Sequence, residues 1–372
     1  MDRSIRISEP ISGCSPIPIC ATLRAYGLFS ISSPPRSCGD GLSSKAPSSA
    51  MTSNEDRAGG SSRKTRLQPE EITAMLRAEL GESIDLHPLS EGLESQAFGF
   101  TAKGQEWVVR VNPGDAGFAK DDFAFRYFAS PALPIPPVLS ITRRDGVFLC
   151  VSKRAAGITL QDVDAWRLDL IVQPVASVLD AMAAVDVSMI AGCGPFHVPG
   201  SGGSGRGGFA DWPAFIGAIA DPRHYDWQVV GQRADLTIIH PLLAEIEAFA
   251  AVCPDRRGLV HGDFGSNNVL TAEDRITGVI DWSEAMVGDP RYDIANILFW
   301  RPWLDCMEAQ ASFFETAQPW RLREGRLLAC YQLRIGLENI HQAALAQDAA
   351  DLAWALARCQ SIAKDVGLAA RG

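Results

Sequence analysis

Four side chains in the segment GLVHGDFGSNNVLTAEDRITGVIDW, residues 258–282, have types and spacing suited to moving a phosphoryl group: His261, Asp263, Asn268 and Asp281. The first three follow the pattern HxDxxxxN. A carboxylate and a carboxamide on a loop that leaves one strand and enters another can aim oxygens at a shared point, and a hard divalent cation selects such oxygens. The run NNVLTAEDRITGVIDW reads as a hairpin whose second strand returns Asp281 to the side of Asn268. Asn268 and Asp281 are thus candidate magnesium ligands, and Asp263 is left to handle the proton of an acceptor hydroxyl. A surface loop closed by an Asx turn would use similar residues. It would not need a second carboxylate at the end of the returning strand.

The elements that position this loop can be read from the rest of the chain. Pro69, Glu70 and Glu71 open a helix whose apolar positions are Ile72, Met75, Leu76 and Leu80, with Gly81 as its stop. Strand-like runs follow at 97–102, 106–111, 138–144 and 146–152, with a helical segment, FAKDDFAFRYFA, between the two pairs. From Trp166 onward long helical patterns dominate, as in LDLIVQPVASVLDAMAAV and HPLLAEIEAFAAV. The expected fold class is α+β: a small antiparallel β-sheet lobe over 66–156 and a mostly helical lobe over 157–372 that carries the polar loop.

Composition narrows the partners. A formal net charge of −10 argues against nucleic acid and anionic membrane surfaces and is compatible with a cationic ligand. The nine cysteines form no CxxC pair and no metal-ligand spacing with histidine, which reads as reduced, buried thiols of a cytoplasmic protein. No apolar run is long enough to span a membrane. Residues 1–65, rich in Ser, Pro, Gly and Arg, are expected to be disordered, and Met51 reads as an alternative start. GSGGSGRGG, 200–208, contains a formal GxGxxG match at Gly203, Gly205 and Gly208, but no strand runs into it and it reads as a flexible linker.

The segments VHGDFGSNNVL and VIDWSEAMVGDPRYDIAN resemble the aminoglycoside phosphotransferase family, antibiotic kinases of protein-kinase-like fold whose catalytic loop has glycine where protein kinases have arginine. LSEGLESQAFGF, VVRVN, FASPALPIPPVL, AIADPRHYDWQ and ANILFWRPWLDCME extend the likeness over most of residues 68–365, toward the branch that acts on hygromycin B. The resemblance implies a bilobal kinase using ATP, or GTP, with Mg2+, and an aminoglycoside as the small-molecule acceptor. It makes Asp263 the general base or hydroxyl-orienting group, Asn268 and Asp281 the metal ligands, His261 a structural support, and Asp293 a helix cap or a brace on the loop. Ser90, Gly92 and Ser95 would belong to the loop over the phosphates. Arg110 stands where the family places its phosphate-binding lysine, with Asp121 in place of the usual helix glutamate. An arginine fork still suits phosphate, although an ordinary strand-end charge would read the same.

For the acceptor side, Glu284 and Asp289 follow the metal site, and Trp300, Trp303, Asp305 and Glu308 follow them. Carboxylates for ammonium groups and aromatic rings for sugar faces are what a polyamine sugar needs. A solvated acidic helix face with buried tryptophans would have the same composition. Three functions fit these residues: an aminoglycoside kinase acting as a monomer, a kinase of another small alcohol such as choline, homoserine or a sugar, and a nucleotide-binding pseudokinase.

Overall fold

The computed structural model describes residues 67–80, 84–89, 95–199 and 203–367. Ser90, Gly92, Met51 and the segment 1–65 lie outside the described residues. The first part of the chain contains α1 (Pro69–Leu80), β1 (His87–Pro88), β2 (Gln96–Ala102), β3 (Gln105–Asn112), α2 (Ala116–Phe128), β4 (Val138–Arg144) and β5 (Val147–Lys153). Its strands form one antiparallel sheet in the order β1-β2-β3-β5-β4. Side chains alternate across a strand. Val109 and Val111 of β3 therefore join Ile72 and Leu76 of α1, with Phe98, Phe100, Leu149 and Val151, in one apolar core. Arg110 lies between those two valines and so takes the other face, toward α2.

The remainder is built from β6 (Ile158–Thr159), α3 (Ala165–Ala183), β7 (Ile190–Ala191), β8 (Cys193–His197), β9 (Gly205–Phe209), α4 (Trp212–Gly217), α5 (Trp227–Gly231) and α6 (Leu236–Ala250). These are followed by β10 (Gly258–Val260), β11 (Val269–Ala272), β12 (Arg275–Val279), β13 (Met286–Gly288), α7 (Arg291–Trp300), α8 (Asp305–Ala317), α9 (Gly325–Ala346) and α10 (Ala349–Asp365). A second and larger core gathers Leu168, Ile171 and Val175 of α3 with Ile246, Leu259, Ile297 and Leu333. Helical spacing puts the α3 residues on one face, which is what drives that helix inward.

Two small sheets sit in this helical part, one in the order β10-β13-β8-β9-β7 and one in the order β12-β11-β6. The polar loop at 261–268 leaves the first at β10 and enters the second at β11, so its ends are fixed by different sheets. The glycine run departs from its expected linker character. Gly205–Phe209 is a strand, paired antiparallel with β8 and parallel with β7. Cross-strand pairing to distant residues orders a segment that its local composition leaves unspecified.

Among the described residues no helix is long and apolar enough to cross a membrane. Cys150, Cys193, Cys253, Cys306, Cys330 and Cys359 are free and buried.

Candidate active site

The loop after β10 is shaped by its first two residues. Gly262 has φ +86°, and a Cβ there would come within 2.5 Å of the Glu284 carbonyl oxygen, so only glycine fits. His261 beside it is fully buried, with its ring 4.7 Å from that of Trp282. Its Nε2 lies 3.1 Å from the Ile280 carbonyl oxygen, and the Asp263 N–H donates to its Nδ1 at 3.3 Å. That pattern assigns the neutral tautomer with hydrogen on Nε2. Burial pushes the ring down to about 4, so it stays neutral near pH 7.

Helices α7 and α8 brace this loop from below. The His261 and Gly262 N–H groups both donate to the Asp293 carboxylate, at 2.8 and 2.9 Å. Asp293 stands in the first turn of α7 and is 1% exposed; burial lifts it to about 7 against those two hydrogen bonds. Asn296, one turn on, donates to the Phe264 carbonyl oxygen at 3.4 Å, and Gln310 of α8 donates to that of Gly265 at 2.8 Å. Sequence reasoning missed both amides. For Asn296 the available signal was a polar residue inside the apolar helix YDIANILFW.

Asp263 is half-buried, and Asn268 Nδ2 donates to its Oδ2 at 2.8 Å and to its carbonyl oxygen at 2.9 Å. Burial first, and the charge of Asp281 second, push the Asp263 carboxyl up to about 6. Hairpin β11–β12 pairs from Val269↔Val279 to Ala272↔Arg275, and beyond it the Ile280 N–H donates to the Asn268 carbonyl oxygen at 2.9 Å. The base of the hairpin thereby sets Asn268 across from Asp281. Asp281 has left-handed backbone angles, φ 59° and ψ 69°, and a side chain 46% exposed. A residue with a Cβ in that region costs on the order of 1–2 kcal/mol. With the Asn268 amide nitrogen committed to Asp263, its Oδ1 is left as the acceptor. One carboxylate and one carboxamide oxygen fit a magnesium ion, which takes few protein ligands and completes its shell with phosphate and water.

From the other side the site is closed by β3 and α2. Arg110 forms a hydrogen-bonded ion pair with Asp121, and its Nη1 approaches Asp281 Oδ1 to 3.9 Å. Burial works against the guanidinium charge, but Asp121, Cys150 and Asp281 outweigh it and hold Arg110 charged above its ordinary range. The ring of Phe118 lies 5.1 Å from the guanidinium carbon. The second Asp121 oxygen accepts the Trp282 N–H at 2.8 Å, so one acid joins Arg110 to the turn that follows Asp281. Ser95 lies half-buried at the entry to β2. Lys120, next to Asp121, is buried and donates to the carbonyl oxygens of Ser283 and Ala285 at 2.6 and 3.1 Å. A lysine in FAKDDFAF reads as a solvated helix charge, which is why sequence reasoning passed over it.

The acidic segment beyond Asp281 does not present its carboxylates as expected. Glu284 is buried, with its charge beside that of Lys120. Asp289 is 1% exposed, and its oxygens accept from the Arg291 side chain, from the Arg291 N–H at 3.1 Å and from the Tyr331 hydroxyl at 3.1 Å. Both acids, expected to receive ammonium groups, flank β13, whose three residues are all buried, and the strand draws them inward. Asp305 is exposed, and Glu308 pairs with Arg301 at 2.8 Å. Trp300 and Trp303 are half-buried, edge to face at 6.3 Å. Trp354 of α10 stacks on Trp300 at 5.0 Å and 6° and meets Trp303 edge-on at 4.6 Å. No local pattern could have joined a tryptophan so far along the chain to the other two.

The model of the phosphotransferase enzyme family matches residues 85–328. Hygromycin-B 4-O-kinase of Escherichia coli is 46% identical over 303 residues, 81% of this chain and 87% of that protein. Homoserine kinase of Gluconacetobacter diazotrophicus is 26% identical over 254 residues, 63% of this chain and 69% of that protein. The crystal structure of a thermostable mutant of the aminoglycoside phosphotransferase APH(4)-Ia, in a ternary complex with AMP-PNP and hygromycin B, matches with a TM-score of 0.74 at 46% identity, covering 81% of this chain and 100% of that one.

Proposed function

The chain belongs to the phosphotransferase enzyme family, and we propose from that premise that it transfers the γ-phosphoryl group of ATP to a hydroxyl of hygromycin B. It is a kinase with an alcohol acceptor and a protein-kinase-like bilobal fold. The observation that carries the reading is the meeting of Asp263, Asn268 and Asp281 at the base of one hairpin, with Arg110 3.9 Å from Asp281.

Asp263 is the group that orients the attacking hydroxyl and takes its proton. Asn268 and Asp281 would hold magnesium through a carboxamide and a carboxylate oxygen. When bound, that ion supplies charge neutralisation for the phosphoryl group in transit. Arg110, kept charged by Asp121, presents its fork to phosphate oxygens and adds to the same neutralisation. A loose phosphoryl transition state needs little covalent help, so placement and charge supply most of the acceleration. His261 and Asp293 hold the loop and touch no reacting atom.

Residues 66–156 form the nucleotide lobe in this reading, and residues 157–372 supply the catalytic loop and the acceptor side. Trp300 and Trp303 offer ring faces to the sugar, which is supported by their place on and just after α7, the helix that also braces the loop. The protein in this reading is a monomer working in the cytoplasm, where ATP and magnesium are at hand.

The test is ATP consumption by the purified protein with hygromycin B, a panel of other aminoglycosides and homoserine, with and without magnesium. Magnesium-dependent turnover on hygromycin B is expected. Turnover on homoserine with none on any aminoglycoside would overturn the acceptor and leave the chemistry standing.

A further inference from the structure

We propose that Lys120 is a positioning residue for the magnesium–nucleotide site: its ammonium group pins the turn 282–285 to α2 and so fixes the carboxylate of Asp281. The inference rests on the kinase reading above and names a part of that site which neither motif nor family match assigns.

Gly117, Lys120 and Asp121 stand at i, i+3 and i+4 on α2 and so share one face. Each meets the same turn. A Cβ on Gly117 would come within 3.3 Å of the Ser283 Cβ, so the helix can lie close against it. Asp121 takes the Trp282 N–H, and Lys120 donates to the Ser283 and Ala285 carbonyl oxygens. Three of the four residues from 282 to 285 thus have a backbone polar group satisfied by an α2 side chain.

Lys120 is only 7% exposed, a position that costs a lysine several kcal/mol unless its charge is matched. The matching is local and partial: burial still pulls the ammonium group down to about 8 against two carbonyl oxygens, the neighbouring charge of Glu284, and the Phe196 ring 5.0 Å from the ammonium nitrogen. Asp281 needs what Lys120 supplies. It holds a left-handed conformation with no side-chain cap, at the head of a helical turn of three residues, so little of its own structure keeps it there. Deleting the ammonium group orphans two carbonyl groups in the short turn between Asp281 and β13. The loop that carries Asp263 is held from the opposite side: Asp293, Asn296 and Gln310 bond the backbone of residues 261, 262, 264 and 265, none of which bonds Lys120.

The two supports can therefore be separated by calorimetry. Binding of ADP is measured in magnesium and in EDTA, and binding of hygromycin B alone, for wild type, Lys120→Met and Lys120→Arg. In wild type magnesium is expected to tighten ADP binding. Lys120→Met is expected to lose that gain by about ten-fold, the size typical of removing a group that orients a metal ligand, while ADP in EDTA and hygromycin B stay within about two-fold. Lys120→Arg, which keeps two donors, is expected to recover part of the gain. Where the methionine variant does not fold, Lys120→Gln gives the same readout with the same expected direction. A full magnesium gain in Lys120→Met, or equal losses in all three measurements, would overturn the inference. Wild type that binds neither ADP nor hygromycin B would instead sink the kinase reading itself.

Discussion

The segments 261–281 and 284–293 are both rich in carboxylates, yet they hold them in opposite ways. In the first, Asp263 is half-buried and the Asp281 side chain is 46% exposed. In the second, Glu284, Asp289 and Asp293 are 8%, 1% and 1% exposed. The difference comes from the backbone. The first segment turns in the gap between two sheets, where its side chains meet the site from the ends of β10 and β12. The second passes through β13 and the first turn of α7, elements buried on all sides, and its acids are consumed by neighbours: Lys120, Arg291, Tyr331 and the N–H groups of His261 and Gly262. Acidity close to a metal site in sequence is therefore no measure of a cationic pocket. What counts is whether the surrounding backbone already pairs the charge.

The largest expected effect lies in the first segment. Asp263→Ala should lower kcat by about 10³-fold, within the range for losing a positioned proton acceptor, with the thermal midpoint within a few degrees of wild type. Near-wild-type turnover in that variant would dissolve the contrast, since Asp263 would then be one more braced loop residue. The mirror experiment is Asp289→Asn. Leaving Arg291 and Tyr331 without their carboxylate should cost about 1–3 kcal/mol of stability in urea unfolding and leave the KM for hygromycin B unchanged. The opposite pattern, intact stability with a raised KM, would return Asp289 to the acceptor pocket.

What was legible in the sequence follows the same division. The hairpin around Asn268 and Asp281 could be read because its signals are local: an alternating apolar run, a turn, a second run. The two-part architecture was equally local, since the period of apolar residues changes from strand-like to helical near residue 160. Burial of Glu284 and Asp289 was not legible, because it is decided by β13 pairing with β8, a strand some ninety residues earlier. Lys120 escaped for the same reason: its two acceptors lie 163 and 165 residues away. The tryptophan trio split likewise, with Trp300 and Trp303 visible as neighbours and Trp354 brought in only by the packing of α10.

Titration gives the smallest effect and the sharpest contrast, because the two segments should respond with opposite sign. In the proposed mechanism Asp263 works as a carboxylate, and burial together with Asp281 lifts it to about 6. Turnover efficiency should therefore fall as pH falls through 6, by about four-fold between pH 7.5 and 5.5 for a single group. The obvious suspect for such a limb is His261, but burial pushes that ring down to about 4, below the window. A carboxyl has a small ionisation enthalpy, so the limb in kcat/KM should barely move with temperature; a clear shift would assign it to an imidazole. Asp293 runs the other way. Its folded value of about 7 stands above the ordinary 3.8, so its contribution to stability is complete below pH 3.8 and lost as pH rises through 7. The stability difference between wild type and Asp293→Asn should shrink over that interval, while activity climbs over the upper part of it. A difference that grows with pH would mean that the two N–H groups donated by His261 and Gly262 outweigh desolvation, and that Asp293 carries its charge at neutral pH.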